Sequence, residues 1–307
     1  GSGPAGLAAA TELAKKGYAV HVLEKASEPG GMLRRCIPNF RLSRDLVDAE
    51  IDRLRSLGVD IRTNTYVGRD TSISELLEEG NRALFIASGC DAPSKLRIDG
   101  ESFEGTIYAV EFLEHLNSGG NIELGDSVVV IGGGNVGIDA SRTAIRLKPR
   151  TVRLTCPESR EEMPSDLSDI EKAEQEGIQV QPSCMPRKIL GKDRRVSAIE
   201  FVKTKPSQYD RDGRFLLVPI EGSEFTVEAD TVIVAIGQQA NLDFLPKEIR
   251  VNRRNTIETD PFSLETSMRG VFAGGDAVLG PASVFEAIHA GWKAAISMDR
   301  YLKQASA

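Results

Sequence analysis

Cysteine is scarce in this sequence, and no two cysteines lie near each other. Cys36, Cys90, Cys156 and Cys184 are the whole complement of a 307-residue chain, and none belongs to a CxxC pair. That spacing excludes a local zinc site, an iron–sulfur cradle and a dithiol redox centre of the usual kind. The thiols read as buried or incidental groups in a reducing compartment, which points to the cytoplasm. Histidine is scarcer still. His21, His115 and His289 have no histidine, cysteine or acid at ligand spacing, so no metal site is expected. Basic charge is not in excess: 38 Lys and Arg against 45 Asp and Glu leave a formal net charge of −7. Nucleic acid is therefore not expected as a partner, since phosphate binding needs a basic surface. No apolar run reaches the ~18 residues that a membrane helix needs. No Ser-His-Asp, HExxH or paired-carboxylate pattern stands out, so no side chain is assigned as a catalytic acid, base or nucleophile.

What the sequence does have is glycine in two similar patterns. The chain opens on GSGPAGLAAATELAKKGYAVHVLEK. Gly1-Ser2-Gly3-Pro4-Ala5-Gly6 fits GxGxxG, an Ala-rich amphipathic stretch follows from Leu7 to Lys16, and Gly17 ends it. The apolar strand YAVHVLEK then closes on Glu24, with Lys25 beside it. Glycines let the backbone turn tightly against a pyrophosphate, a helix N-terminus stabilises its charge, and an acid about 18 residues on accepts hydrogen bonds from a ribose. Pro4 removes an amide that the first turn of a helix can spare.

The second pattern is complete. DSVVVIGGGNVGIDASRTAIRL holds a strand, Ser127–Ile131, then Gly132-Gly133-Gly134-Asn135-Val136-Gly137, then a helix. Two fingerprints imply two dinucleotides. The next strand, TVRLTCPES, ends near Glu158. An acid there favours the free 2′-hydroxyl of NAD, and a base would favour the 2′-phosphate of NADP; Arg160 lies two residues on. Beside this motif the opening one lacks the equivalent of SVVVI. Deleting a central strand would expose apolar faces and unpaired backbone groups. The chain is therefore expected to be a segment of a longer polypeptide, with that strand upstream.

The resulting expectation is an α/β, three-layer protein of two nested Rossmann-like domains. Residues 1–92 and 239–307 form the first, lacking its first strand, and residues 93–238 form the second. The return to the first domain reads as a strand, Gly-Gly-Asp, a loop and a long helix starting at Ala282 or Ser283. SAIEFVKTKPSQYDRDGRFLLVPIEGSEFTVEADTVIVAIG reads as a β-ribbon turning at Asp212-Gly213. SREEMPSDLSDIEKAEQEGIQV reads as a surface helix and the loop before it.

Several longer phrases resemble one family. They are GSGPAGLAAA, EPGGMLRRCIPNFRLSRDLVDAEIDRLRSLGVDIRTNT, GGGNVGIDASRTAIRL, SREEMP and FAGGDAVLGPASVFEAIHAGWKAA. Over essentially its whole length the chain resembles the flavin subunit family of the glutamate synthase small (beta) subunit. That family includes the flavin half of dihydropyrimidine dehydrogenase and the large subunit of NADH-dependent ferredoxin:NADP transhydrogenases. The resemblance implies FAD in the first domain, with Gly1, Ser2, Gly3, Pro4, Ala5 and Gly6 on its pyrophosphate and Glu24 and Lys25 at the adenosine ribose. It places Gly31, Met32 and Leu33 along the flavin chain, Arg41 on the FAD and Val67 at the adenine. Gly275 and Asp276 meet the ribityl-phosphate region, and Ser283 and Val284 the pyrimidine edge. In the second domain it puts Gly133, Gly134, Asn135 and Val136 on the nicotinamide dinucleotide, with Ala235, Ile236 and Gly237 as the wall beside it.

The chain departs from this family at three points. Members using NADPH carry two arginines where Pro157-Glu158 stands, which favours NAD(H) over NADP(H). Cys36 replaces a glycine, and the family's domain for two iron–sulfur clusters is not in the sequence. The expected activity is that of an FAD-dependent NAD(P)H oxidoreductase exchanging electrons with iron–sulfur clusters of a larger polypeptide or multi-subunit complex. Two other readings stay open: a flavin-holding relay or structural subunit with a vestigial nicotinamide site, and a disulfide reductase, which the lack of CxxC disfavours.

Overall fold

A computed structural model describes residues 1–209 and 215–304. They fall into two compact units: Gly1–Ala92 with the chain from Gln238 onward, and Pro93–Gly237. The return to the first unit thus comes between Gly237 and Gln238, one residue earlier than expected.

In the first unit the helix Pro4–Lys15 begins inside the glycine turn, earlier than the Leu7 read from the sequence, because Pro4 at its start already has a helical φ. It is apolar on two faces. Leu7 and Ala10 join Val22, Val47, Ile51, Leu54 and Val59, while Ala9 and Leu13 join Phe272, Ala295 and Met298. Such an all-round apolar helix is an interior one. The strand expected over YAVHVLEK shrinks to His21–Leu23, since Tyr18 still donates its amide to Leu13 O as part of the helix cap. His21–Leu23 pairs in parallel with Asp60–Arg62, and Leu84–Ile86 pairs in parallel with Val271–Ala273. The expected loop after Gly-Gly-Asp contains a four-residue helix, Asp276–Leu279. The long helix runs from Val284 to Gln304. Ser283 is not its first residue but its cap: Glu286 N donates to Ser283 Oγ at 3.2 Å, and Ser283 N donates to Glu286 Oε2 at 2.8 Å. This reciprocal pair satisfies two helix-end amides.

The second unit is built on a five-stranded parallel sheet in the order Thr106–Tyr108, Thr231–Val234, Ser127–Ile131, Thr151–Thr155, Gln179–Gln181. Its central strands, Thr231–Val234 and Ser127–Ile131, are buried on both faces, as the strands of all-parallel sheets are. Val129, Ile131, Val232 and Val234 pack against Ile189, Ile199, Phe201 and Val227. The latter four belong to an antiparallel sheet in which Arg195–Tyr209 pairs with Cys184–Lys192, Phe215–Pro219 and Phe225–Glu228. Alternation along the strand sends Val128 and Val130 to the opposite face, where the helices Ala109–Asn117 and Asn135–Arg146 lie against the sheet. This unit is three layers deep. The Asp212-Gly213 turn expected in the ribbon lies outside the described residues. Among the described residues no helix is long and apolar enough to cross a membrane.

Candidate functional site

The opening turn closes on itself. A methyl group on Gly6 would strike the carbonyl oxygen of Gly1, so the two ends of the motif touch and only glycine fits there. On the outer side, a methyl on Gly3 would meet nothing within 4 Å. The turn is thus walled within and clear outside at the start of a 12-residue helix, where backbone amides accumulate positive potential. A second loop presses on it. Gly31, at φ 54°, brings its backbone so close that a methyl there would lie 2.6 Å from Gly3 Cα.

Ser2 is fully buried, and its side chain turns inward. Its hydroxyl and its amide both donate to Glu24 Oε2, at 2.5 and 2.9 Å, while Gly30 N donates to the Ser2 hydroxyl at 2.9 Å. Ala26 N donates to the other Glu24 oxygen at 2.9 Å. Glu24 is only 5% exposed. Burial by itself would raise its pKa, but the Ser2 and Ala26 hydrogen bonds outweigh that and hold it below the ordinary glutamate value. Glu24 is therefore an oriented carboxylate, not a solvated one. Oε1 accepts one protein hydrogen bond and keeps a lone pair.

Gly275, at φ 67°, abuts the first helix, since a methyl there would lie 3.0 Å from Ala5 Cβ. Beside it, burial pushes the Asp276 carboxyl up to about 6, against a hydrogen bond from the Ala282 amide that lowers it. Lys25 is turned away to a close ion pair with Asp91 and stands 5.9 Å from the Tyr66 ring centre. Met32 and Leu33 open a short helix, Met32–Arg35, behind Gly31. Arg41 is exposed, its amide donating to Pro38 O. Val67 packs with Ile73, Ile86 and Ile257, and Ser283 and Val284 stand at the head of the long helix.

The second turn repeats the first. A methyl on Gly137 would strike the Gly132 carbonyl oxygen, and Gly132 itself is at φ 132°. Gly134 caps the helix Asn135–Arg146; a methyl there would reach only Pro164 Cγ, at 4.0 Å. Asn135 and Val136 form its first turn. A methyl on Gly133 would lie 2.9 Å from Cys156 Sγ and 3.6 Å from Glu158 Oε2. Ala235, Ile236 and Gly237 follow the strand Thr231–Val234 and so lie at the carboxyl edge of the sheet with Gly132, where open α/β sheets bind ligands. Ala235 N donates to Ile131 O at 2.8 Å, and Ile236 is exposed.

Glu158 and Arg160 part company. Glu158 Oε2 is buried and accepts no hydrogen bond; an acceptor left in that state costs about 1–3 kcal/mol until a donor arrives. Arg160 is engaged elsewhere, donating to Glu174 Oε1 and Oε2 at 2.6 and 2.7 Å. Two neighbours of this turn were not singled out by sequence reading. Cys156 forms its floor, and Ser165 donates its hydroxyl to Gly133 O. The only signal for Ser165 was the SREEMP phrase just ahead of it.

The four cysteines are free and buried. Burial pushes the Cys90 and Cys156 thiols up to about 12 and Cys184 up to about 11, so these three stay protonated and unreactive. Cys36 Sγ sits 3.6 Å from Met32 Sδ. His21 does meet an acid across its strand pair, Asp60 at 2.9 Å, in an exposed contact. Among the described residues no group of three or more His, Cys, Asp or Glu is placed to hold a metal.

Comparison with known proteins places the chain in a family. The family model for pyridine nucleotide-disulphide oxidoreductases matches residues 1–295. The NADP(+)-dependent formate dehydrogenase subunit beta of Moorella thermoacetica is 42% identical over 307 residues, covering 99% of this chain and 43% of the relative. The glutamate synthase [NADPH] small chain of Azospirillum brasilense is 36% identical over 321 residues, covering 99% and 66%. The NAD-dependent dihydropyrimidine dehydrogenase subunit PreT of Escherichia coli K12 is 33% identical over 307 residues, covering 99% and 68%. The chain thus spans less than half of the first of these relatives. Among solved structures, Mycobacterium tuberculosis FprA in complex with NADPH superposes with a TM-score of 0.85 at 18% identity, covering 100% of this chain and 84% of that one, a likeness of fold. With two self-closing glycine turns on Rossmann-like sheets and a family match over nearly its whole length, the chain belongs to the pyridine nucleotide-disulphide oxidoreductase family.

Proposed function

We propose that this chain is an FAD-dependent NAD(P)H oxidoreductase module, NADH favoured, that exchanges electrons with iron–sulfur clusters of a larger protein or complex. The observation that carries the reading is the repetition of one device: a glycine turn closed on itself, clear on its outer side and with a carboxylate nearby. In the first unit the turn Gly1–Gly6 takes the FAD pyrophosphate, and Glu24 Oε1 accepts from the adenosine ribose. Gly275 and Asp276 lie toward the ribityl chain, and Ser283 and Val284 toward the ring. The flavin supplies a carrier that takes two electrons from a nicotinamide and releases them singly to one-electron centres. The residues of the chain bind and orient, and none needs to move a proton.

In the second unit, Gly133, Gly134, Asn135 and Val136 receive the nicotinamide dinucleotide, and Ala235, Ile236 and Gly237 flank it. Preference for NADH rests on Glu158. Its carboxylate, beside Gly133, suits a 2′-hydroxyl donor and repels a 2′-phosphate, while Arg160 is occupied by Glu174. The relatives' names include NAD-dependent and NADP-dependent enzymes and leave the choice to these residues. The iron–sulfur partner is inferred from the resemblance to the glutamate synthase small-subunit family, whose flavin module works with iron–sulfur clusters, while the widely spaced cysteines give this sequence no cluster cradle of the usual kind. Anaerobic titration of the FAD-loaded protein with NADH and with NADPH, following flavin bleaching, tests the reading. Bleaching by neither coenzyme would sink the oxidoreductase proposal, and faster bleaching by NADPH at subsaturating coenzyme would overturn the NADH preference.

A further inference from the structure

The loop that follows Glu158 folds back over the second glycine turn. After the single 3-10 turn Arg160–Glu162, Met163 and Ser165 are both buried, although the segment leads into a surface helix. Ser165, 8% exposed, donates its hydroxyl to the carbonyl oxygen of Gly133. Pro164 is the nearest group to the otherwise clear side of Gly134. Gly133 is therefore enclosed by three residues: Cys156 beneath it, Glu158 at its flank and Ser165 on its carbonyl.

We infer that Ser165 is a positioning residue for coenzyme binding: by holding the Gly133 carbonyl it sets the orientation of the Gly133–Gly134 peptide, and so aims the Gly134 amide at the coenzyme pyrophosphate. The physical reason is the rigidity of one amide plane. The Gly133 carbonyl and the Gly134 N–H belong to the same peptide group and point in opposite directions. A hydrogen bond that fixes the carbonyl on one side fixes the amide direction on the other. Glycine at both positions leaves that plane free to rotate in the absence of a restraint, because glycine visits both signs of φ readily. Ser165 supplies the restraint from a buried site, where the bond is not exchanged with water. The backbone itself, not Ser165, touches the coenzyme. Met163 explains why the loop stays down: its buried side chain anchors the residues just ahead of the bond.

This inference rests on the reading of the second turn as the nicotinamide dinucleotide site, and the test separates the two. Binding of NAD+ and of ADP to the full FAD-loaded chain is measured by calorimetry for wild type, Ser165→Ala and Ser165→Thr, with melting temperatures and flavin content recorded alongside. Loss of one buried hydrogen bond is expected to weaken both ligands about fivefold in Ser165→Ala. Ser165→Thr, which keeps the hydroxyl, is expected to recover most of that. In steady state KM for NADH rises and kcat is unchanged. A purely structural serine would lower the melting temperature of Ser165→Ala and leave the dissociation constants of the folded protein as they were; that result, or equal weakening in Ser165→Thr, overturns the inference. Failure of the wild type to bind NAD+, NADP+ and ADP overturns the underlying site reading and the inference with it.

Discussion

Arg160 and Glu174 are joined by two parallel hydrogen bonds, Nη1 to Oε1 at 2.6 Å and Nη2 to Oε2 at 2.7 Å. A bidentate pair of this kind fixes the guanidinium plane as well as its charge. The one arginine that the sequence offers beside Glu158 is thereby held against the helix Leu167–Gln175. Glu174→Ala is expected to release Arg160 and raise kcat/KM for NADPH by roughly three- to tenfold, with little change for NADH. Glu158→Arg, with Pro157→Arg added, should move the preference further, by roughly ten- to a hundredfold. Both are read with ferricyanide as acceptor. If Glu174→Ala leaves NADPH kinetics at the wild-type level, Arg160 has no part in the choice.

Gly137 offers a cleaner separation of the two proposed nucleotide sites. Its missing side chain lets the helix Asn135–Arg146 start against the Gly132 carbonyl. Gly137→Ala must push that backbone aside, at a cost of roughly 1–3 kcal/mol for an overpacked contact. The variant is expected to retain its flavin, lose bleaching by NADH at least tenfold, and still be photoreduced like wild type. Normal NADH kinetics in this variant would mean that the turn tolerates a side chain and does not hold the coenzyme.

Flavin identity follows from the first turn. A pyrophosphate cradle followed by an oriented ribose acid suits FAD, whereas FMN has neither a pyrophosphate nor an adenosine ribose. Heat release and chromatography are expected to yield FAD. Glu24→Gln keeps the shape but turns one acceptor oxygen into a donor facing the Ser2 or Ala26 donors. It should weaken FAD binding roughly tenfold or more, measured by fluorescence quenching of the titrated apoprotein. Recovery of FMN would sink the assignment.

Asp276 gives a pH signature. Burial raises its carboxyl to about 6 in the folded protein, so the folded state holds this proton more tightly than the unfolded chain does. The sign follows: the group costs nothing below the unfolded value near 3.8, and its penalty grows with rising pH until it is complete above about 6. Asp276→Asn should therefore stabilise the apoprotein by roughly 1–2 kcal/mol at pH 8, a value reduced because the group is only partly buried, and by almost nothing at pH 4. If the ribityl assignment holds, the same variant binds FAD less tightly. Melting curves at the two pH values check the first effect, and a melting difference independent of pH would show that the carboxyl is not buried as described.

The sequence by itself determined the local machinery. Glycine spacing made both turns, because φ above zero at Gly132 and the contacts of Gly6 on Gly1 and Gly137 on Gly132 are demands met within six residues of chain. The two-unit division and the apolar strands at Ser127–Ile131 and Thr231–Val234 were legible for the same reason: a strand buried on both faces shows as an unbroken apolar run. Glu24 and Glu158 could be singled out as candidates because each follows its glycine turn by one helix and one strand. What the sequence left open depended on residues far apart along the chain. Glu174 occupies Arg160 from a helix 14 positions on, Ser165 reaches back 32 positions to Gly133, and Ser2 spans 22 to orient Glu24. Gly275 meets Ala5 from the opposite end of the chain. Neither propensity nor periodicity encodes such pairings, since a hydroxyl or guanidinium has several partners open to it until packing removes the others. Tertiary structure decided them by bringing one partner within hydrogen-bond reach and burying the pair where water cannot compete.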